Sequence, residues 1–432
     1  MRKIKILIAL WVSVAITLFV FISATQLPLN IADADSSDYE QLKLFTEVLD
    51  IVQKNYVEEV KTKDLIYGAI RGMMRSLDPH SGFMPPEAYK EMKIDTTGEF
   101  GGLGIQIAIK DGVLTVIAPI EDTPAWRAGL KAGDRIIKVD GEPTKDMSLF
   151  EAVNKMRGPK GTKVTLTIYR KGWKETKDFT IVRDIIKLKS VKYKLIDDRI
   201  GYVKIKQFQQ NTAADLEKAL KDLDKKGIDS LILDLRNNPG GLLSSAIDVA
   251  DQFLPPGKLV VYIKGRSGEK TEYRTRGKRK HYNWPVIVLV NQGSASASEI
   301  VAGALKDWKR GVILGVTTFG KGSVQSVIPL SDGSGLRITT AKYYTPKGIS
   351  IQNTGIEPDI VVELKPKDGK GHIAIREKDL ERHLPNEQAP EVDSKKEKKK
   401  EIVPVKVDES EDTQLQRAID LLKSWRIFKE KV

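Results

Sequence analysis

The chain has 432 residues, more than a single hydrophobic core organises, so two or three domains are expected. It has no cysteine and only four histidines, which excludes thiol nucleophiles, disulfides and thiolate metal sites and argues against a multi-histidine centre; no metal or cofactor is expected. The formal net charge of +13 is partly local, in Lys264–Lys280 and Lys395–Lys400. No reading-helix signature accompanies these runs, so they read as solvated loops and tails, or as attraction to an anionic membrane surface, and not as a nucleic-acid site.

The chain opens with Met1-Arg2-Lys3-Ile4-Lys5 and an apolar stretch, Ile6 to Ile22. This has the form of a signal peptide or an uncleaved anchor, borderline for the latter because about 20 residues span a bilayer. Residues 1–24 are therefore assigned to export. Residues 38–97 form an N-terminal helical region. In Asp38–Val60 the residues Leu42, Phe45, Val48, Leu49, Val52 and Tyr56 share one helical face, and a second amphipathic stretch runs from Lys63 to Leu77. Pro79 ends it, and the adjacent His80 and Ser81 read as a turn, since triads are assembled from separate elements.

Residues 98–184 change to short strands and glycine turns. Gly101-Gly102-Leu103-Gly104-Ile105 leads into an alternating strand, and Ala128-Gly129-Leu130, Gly133-Asp134, Val139 and Gly141 follow in order. This series resembles a PDZ domain. The resemblance implies that Gly102, Leu103, Gly104 and Ile105 bind substrate: loop N–H groups hold a chain-terminal carboxylate while an extended peptide adds as a strand.

Residues 185–364 alternate strands (200–205, 231–235, 259–264, 286–290, 312–316) with helices (213–225, 243–253, 299–308), the pattern of an α/β layer, and end in a β-rich stretch. Residues 365–411 are lysine- and proline-rich without apolar period and read as a disordered linker. Residues 412–430 form a short amphipathic helix.

Three motifs meet in the α/β segment. Leu235-Arg236-Asn237-Asn238-Pro239-Gly240-Gly241 is a strand-to-helix turn whose glycine N–H groups can face a cleft. Ser294-Ala295-Ser296-Ala297-Ser298-Glu299 follows a buried strand, and Ser296-x-x-Glu299 is also a capping box. Gly315-Val316-Thr317-Thr318-Phe319-Gly320-Lys321-Gly322 nearly fits a phosphate-binding loop but lacks the metal-binding hydroxyl after the lysine and leads into a strand. A lysine acts as a base only when neutral; its reference pKa of about 10.4 must fall, as burial makes it do. A neutral Lys321 can then deprotonate a serine of the cluster, and spacing alone does not choose among Ser294, Ser296 and Ser298. Gln325 lies where it can orient the amine, and the N–H of Ala297 with one glycine of the 240–241 pair can serve an oxyanion.

Together with the PDZ-like region and Asp78-Pro79-His80-Ser81, these motifs resemble the carboxyl-terminal processing peptidases, exported PDZ serine proteases of the S41 family. The resemblance implies a multidomain α/β and β architecture: N-terminal helices, a PDZ domain, an S41 core of the ClpP/crotonase-like type and a C-terminal helix. It implies Ser296, Lys321 and Gln325 as catalytic residues and Gly241 and Ala297 as the oxyanion hole. The partners implied are protein or peptide substrates with free C-termini, cut at the periplasmic or extracytoplasmic face of the bacterial plasma membrane. The N-terminal helices and the C-terminal helix are both candidates for forming a homodimer or higher oligomer. The alternative is a non-catalytic PDZ adaptor that holds protein C-termini at the membrane.

Overall fold

The computed structural model describes residues 36–363, 375–388 and 412–430. The export segment at 1–24 and much of the expected linker lie outside the described residues. Among the described residues no helix is long and apolar enough to cross a membrane.

The chain divides into two compact units after Gly72. In the first, the helix Ser36–Asn55 is followed by a helix beginning at Thr62, and the Gln53 amide donates to the Thr62 hydroxyl at 2.6 Å. The expected apolar spacing is present, but Leu42, Phe45 and Val48 lie exposed rather than buried.

The second unit is organised by a six-stranded sheet in the order 191–196, 200–205, 230–234, 286–290, 312–315, 360–361; its first pair is antiparallel and the rest parallel. Ser230–Asp234 and Val286–Val290 are buried along their whole lengths because both faces of the sheet are covered. Alternation sorts their side chains. Leu231, Leu233, Val286, Val288 and Val290 pack with the helices Thr212–Lys225, Leu243–Ala250 and Ala297–Asp307. Ile232, Ile287, Leu289 and Leu314 face the other way, onto Ala418 and Leu422 of the C-terminal helix Thr413–Glu430.

A second, antiparallel sheet carries Gly82–Met84, Gly335–Tyr344, Leu259–Gly265 and Lys270–Arg274, with Ser323–Pro329 also paired to Gly335–Tyr344. Here one expectation is corrected: Leu259–Gly265 is not part of the α/β layer. Its apolar run fits either sheet, and pairing with the distant Tyr343 and Tyr344 decides. The third sheet, residues 105–182, encloses its own core of Leu103, Val116, Ile136, Leu166 and Ile168. Its helix Leu149–Met156 begins with a full capping box between Ser148 and Glu151.

The linker expectation is also corrected in part. Residues 375–388 form a strap against the segments at 318–322 and 350–354, including a short helix, Glu377–Asp379. Its anchors are hydrogen bonds and one buried carboxylate, which leave no apolar period in the sequence.

Candidate active site

The parallel strand Val286–Val290 ends at Asn291, and the next residues turn sharply into the helix that starts at Ala297. Ser296 sits at the turn with φ 54° and ψ −111°, a conformation that side chains rarely adopt and that costs on the order of 1–3 kcal/mol. The surroundings hold it there. The Ser296 N–H donates to the Glu299 carboxylate at 2.8 Å, so the carboxylate half of the predicted capping box forms. The serine half does not. The Glu299 N–H goes to the Ser296 carbonyl instead, and the Ser296 hydroxyl pairs with the Tyr343 hydroxyl at 2.8 Å.

The three serines are thereby distinguished. Ser294 Oγ donates to the Leu235 carbonyl at 2.8 Å and accepts from the Asn291 N–H, while Ser298 Oγ donates to the Asn238 carbonyl at 3.0 Å. Both are fully buried fasteners between this turn and the glycine loop. Only the Ser296 hydroxyl is not tied to a main-chain carbonyl.

The glycine loop closes on the same turn. Gly240 has φ 101°, and a methyl group there would lie 2.8 Å from Ser296 Cβ, so nothing larger than glycine fits. The Gly240 N–H is taken by the Asn238 side chain at 2.9 Å. Among the described residues, the N–H groups of Gly241 and Ala297 have no acceptor, and these are the two predicted oxyanion donors. Asn237 and Asn291 lock the loop to the turn through two hydrogen bonds, each 2.9 Å.

Glu299 also gathers the lysine loop. Its fully buried carboxylate accepts from Thr318 Oγ1 and the Gly320 N–H, each at 2.6 Å, and from the Lys321 N–H at 3.0 Å. Burial pushes its carboxyl up to about 7, against four donors that favour the ionised form. One side chain thus connects the segments bearing Ser296 and Lys321. The Lys321 amine makes no hydrogen bond or ion pair among the described residues. Burial, with the Arg337 cation second, lowers it to about 8. The Tyr343 hydroxyl is raised by burial and stays protonated at neutral pH.

Gln325 does not touch Lys321. Its amide nitrogen donates to Ser323 Oγ at 3.0 Å and Thr339 Oγ1 at 3.2 Å, while its Oε1 has no donor among the described residues. Lys321 precedes the strand that carries Gln325, so the shared face expected from strand spacing does not form. Asp78 closes the turn predicted around His80 and Ser81, accepting from both N–H groups at 2.8 Å. The predicted peptide loop is some distance along the chain. There Leu103 is buried, Gly104 has φ 77°, and the N–H groups of both residues lack acceptors among the described residues. Sequence reasoning missed Tyr343 altogether and took Glu299 only for a cap.

The family model described as peptidase family S41 matches residues 199–362, the PDZ domain model residues 115–170, and the model of the activating protease CtpB N-terminal domain residues 22–88. A carboxy-terminal-processing protease of Bartonella bacilliformis is 46% identical over 360 residues, covering 82% of this chain and 83% of that protein. A carboxyl-terminal-processing protease of Synechocystis sp. is 42% identical over 321 residues, covering 72% and 75%. Carboxy-terminal processing protease CtpB of Bacillus subtilis is 37% identical over 351 residues, covering 80% and 73%. The chain belongs to peptidase family S41, among its PDZ-bearing carboxy-terminal processing proteases. It is a serine-type peptidase.

Proposed function

We propose that this peptidase holds protein substrates by their free C-termini in the PDZ domain and cuts them with Ser296 and Lys321. The observation that carries the reading is a lysine lowered to about 8, its amine without a partner among the described residues, in a loop fastened by Glu299 to the turn that presents Ser296. Neutral Lys321 takes the Ser296 proton as Oγ bonds to the scissile carbonyl carbon. The resulting oxyanion accepts from the Gly241 and Ala297 N–H groups. As the C–N bond breaks, Lys321 returns the proton to the leaving amine, and water then releases the acyl group by the same proton path. Gln325 Oε1, free of donors among the described residues, orients the amine only after one of the two side chains has moved toward the other. Catalysis requires the Ser296 proton to point to Lys321, with Tyr343 either released or donating to Ser296 Oγ.

The Leu103 and Gly104 N–H groups receive the substrate carboxylate. Export to the outer face of the plasma membrane rests on the basic, then apolar, residues 1–24. Purified Ser296→Ala and Lys321→Ala variants are each expected to lose degradation of an unstructured protein; wild-type rates in either would sink the assignment. A substrate with an amidated C-terminus is expected to bind more weakly, and equal KM for amide and acid would remove tail recognition.

A further inference from the structure

We propose that Glu377 is a positioning residue for this reaction, holding the Lys321 loop from outside the matched peptidase core and biasing the amine through its charge. The inference rests on Lys321 being the base.

Glu377 follows the core in sequence, beyond the residues matched by the peptidase family model, and it is fully buried. It grips the loop on both sides of the lysine. Its N–H donates to the Phe319 carbonyl at 3.0 Å. Its carboxylate accepts from Gln352 Nε2 at 2.9 Å, and Gln352 Oε1 in turn accepts from the Gly322 N–H at 3.0 Å. The neighbouring Arg376 donates to the Thr318 carbonyl at 3.1 Å. The remaining partner of the carboxylate is His80 Nε2, at 2.8 and 2.9 Å from its two oxygens.

The charged groups that bear on Lys321 are the Arg337 cation, which favours the neutral amine, and the carboxylates of Glu377, Glu299 and Asp78, which oppose it. His80 is the further titratable group, through its contact with Glu377. Glu299 and Asp78 are each saturated by donors from their own turns and the facing segments: Ser296, Thr318, Gly320 and Lys321 for the first, His80, Ser81 and Thr339 for the second. Glu377 has two side-chain donors. A base loses strength as its pKa falls, so a carboxylate that offsets burial and Arg337 keeps the amine basic enough to take a serine proton.

The test is the pH profile of kcat/KM for the full chain on a fluorogenic peptide. Glu377→Gln keeps the shape and removes the charge; the acid limb is expected to move to lower pH by about half a unit or more, with a reduced plateau. Arg337→Gln is expected to move the limb the opposite way. A Glu377→Gln limb that coincides with the wild-type limb overturns the inference while leaving the Ser296–Lys321 reading intact. A wild type without an acid limb, or an active Lys321→Ala, fails that reading and this one with it. If Glu377→Gln does not fold, Glu377→Asp carries the test. A limb at the wild-type position with kcat lowered supports the inference, and a limb moved as the charge loss predicts overturns it.

Discussion

The hydroxyls of Ser296 and Tyr343 lie 2.8 Å apart in a buried pair, and among the described residues no hydrogen bond joins Ser296 to the Lys321 amine. A serine that donates to the tyrosine must break that hydrogen bond before it can pass its proton to a lysine, and a typical net hydrogen bond is worth about 1 kcal/mol. Tyr343→Phe removes the competing partner and keeps the ring packing. We expect kcat to rise by up to about fivefold, the equivalent of that energy. The measurement is steady-state turnover of a peptide substrate. A fall of a hundredfold would instead place the Tyr343 hydroxyl in the chemistry.

The lysine gives a signed pH dependence. Its folded value of about 8 is below the reference 10.5, so the neutral amine accumulates as pH rises through 8, and kcat/KM should climb over that range to a plateau. The same shift has a stability sign. Between about 8 and 10.5 the unfolded chain binds the extra proton, so stability rises with pH across that window, and below it the buried ammonium is a standing cost. Lys321→Met should therefore abolish activity and stabilise the fold at pH 7 by on the order of 2–3 kcal/mol. Chemical denaturation at pH 7 and pH 10.5 checks this: the gap between variant and wild type should shrink at the higher pH.

The outer serines separate stability from chemistry. Ser294→Ala strands the Asn291 N–H and leaves the Leu235 carbonyl with the Asn238 N–H at 3.3 Å, whereas Ser298→Ala leaves the Asn238 carbonyl still paired with the Ala295 N–H at 3.0 Å. Ser294→Ala should cost about 1–3 kcal/mol because it leaves a buried N–H without an acceptor, and Ser298→Ala, which loses one hydrogen bond only, about 0.5–1.5 kcal/mol. Both variants should keep a reactive Ser296 while folded, which labelling by a serine-directed fluorophosphonate at low temperature would reveal. Loss of labelling in Ser298→Ala alone, with the fold intact, would contradict this division.

What was legible in the sequence was what local chemistry dictates. A fully apolar strand followed by small residues and a helix former predicts the turn at Ser296, and glycines at 240 and 241 announce a close approach that their positive φ values then require. Tyr343 could not be seen in this way. It lies in an alternating strand like any other aromatic, and only the antiparallel sheet brings it to Ser296. The sheet membership of Leu259–Gly265 has the same origin, since an apolar run does not name its neighbours. The strap at 375–388 was hidden for a different reason: polar anchors such as Arg376 and Glu377 look the same in sequence as solvated charges. Family likeness, rather than spacing, singled out Ser296 among the three serines, and hydrogen bonding supplies the physical ground.

Arg236 joins the donor loop to the C-terminal helix, and its removal should expose that coupling. Its buried guanidinium meets the Asp234 carboxylate at 2.8 and 3.0 Å and both oxygens of Asp412 at 2.7 Å. Asp412 in turn accepts from the Leu415 N–H at 3.0 Å, at the start of the helix whose Ala418 and Leu422 cover one face of the sheet. Arg236→Met leaves Asp234 with Tyr202 and Lys204 but leaves Asp412 without its cation. Breaking a buried ion pair from one side costs about 3–5 kcal/mol. Because Arg236 immediately precedes Asn237–Gly241, residual folded enzyme should also lose turnover beyond the fraction unfolded. Asp412→Ala spares the Asp234 contact, so it should cost less and act chiefly on the helix. Limited trypsin digestion reads the difference through cleavage at Arg417 and Lys423. Both variants should be cut there faster than wild type, whereas unchanged cleavage would mean that apolar packing alone holds the helix in place.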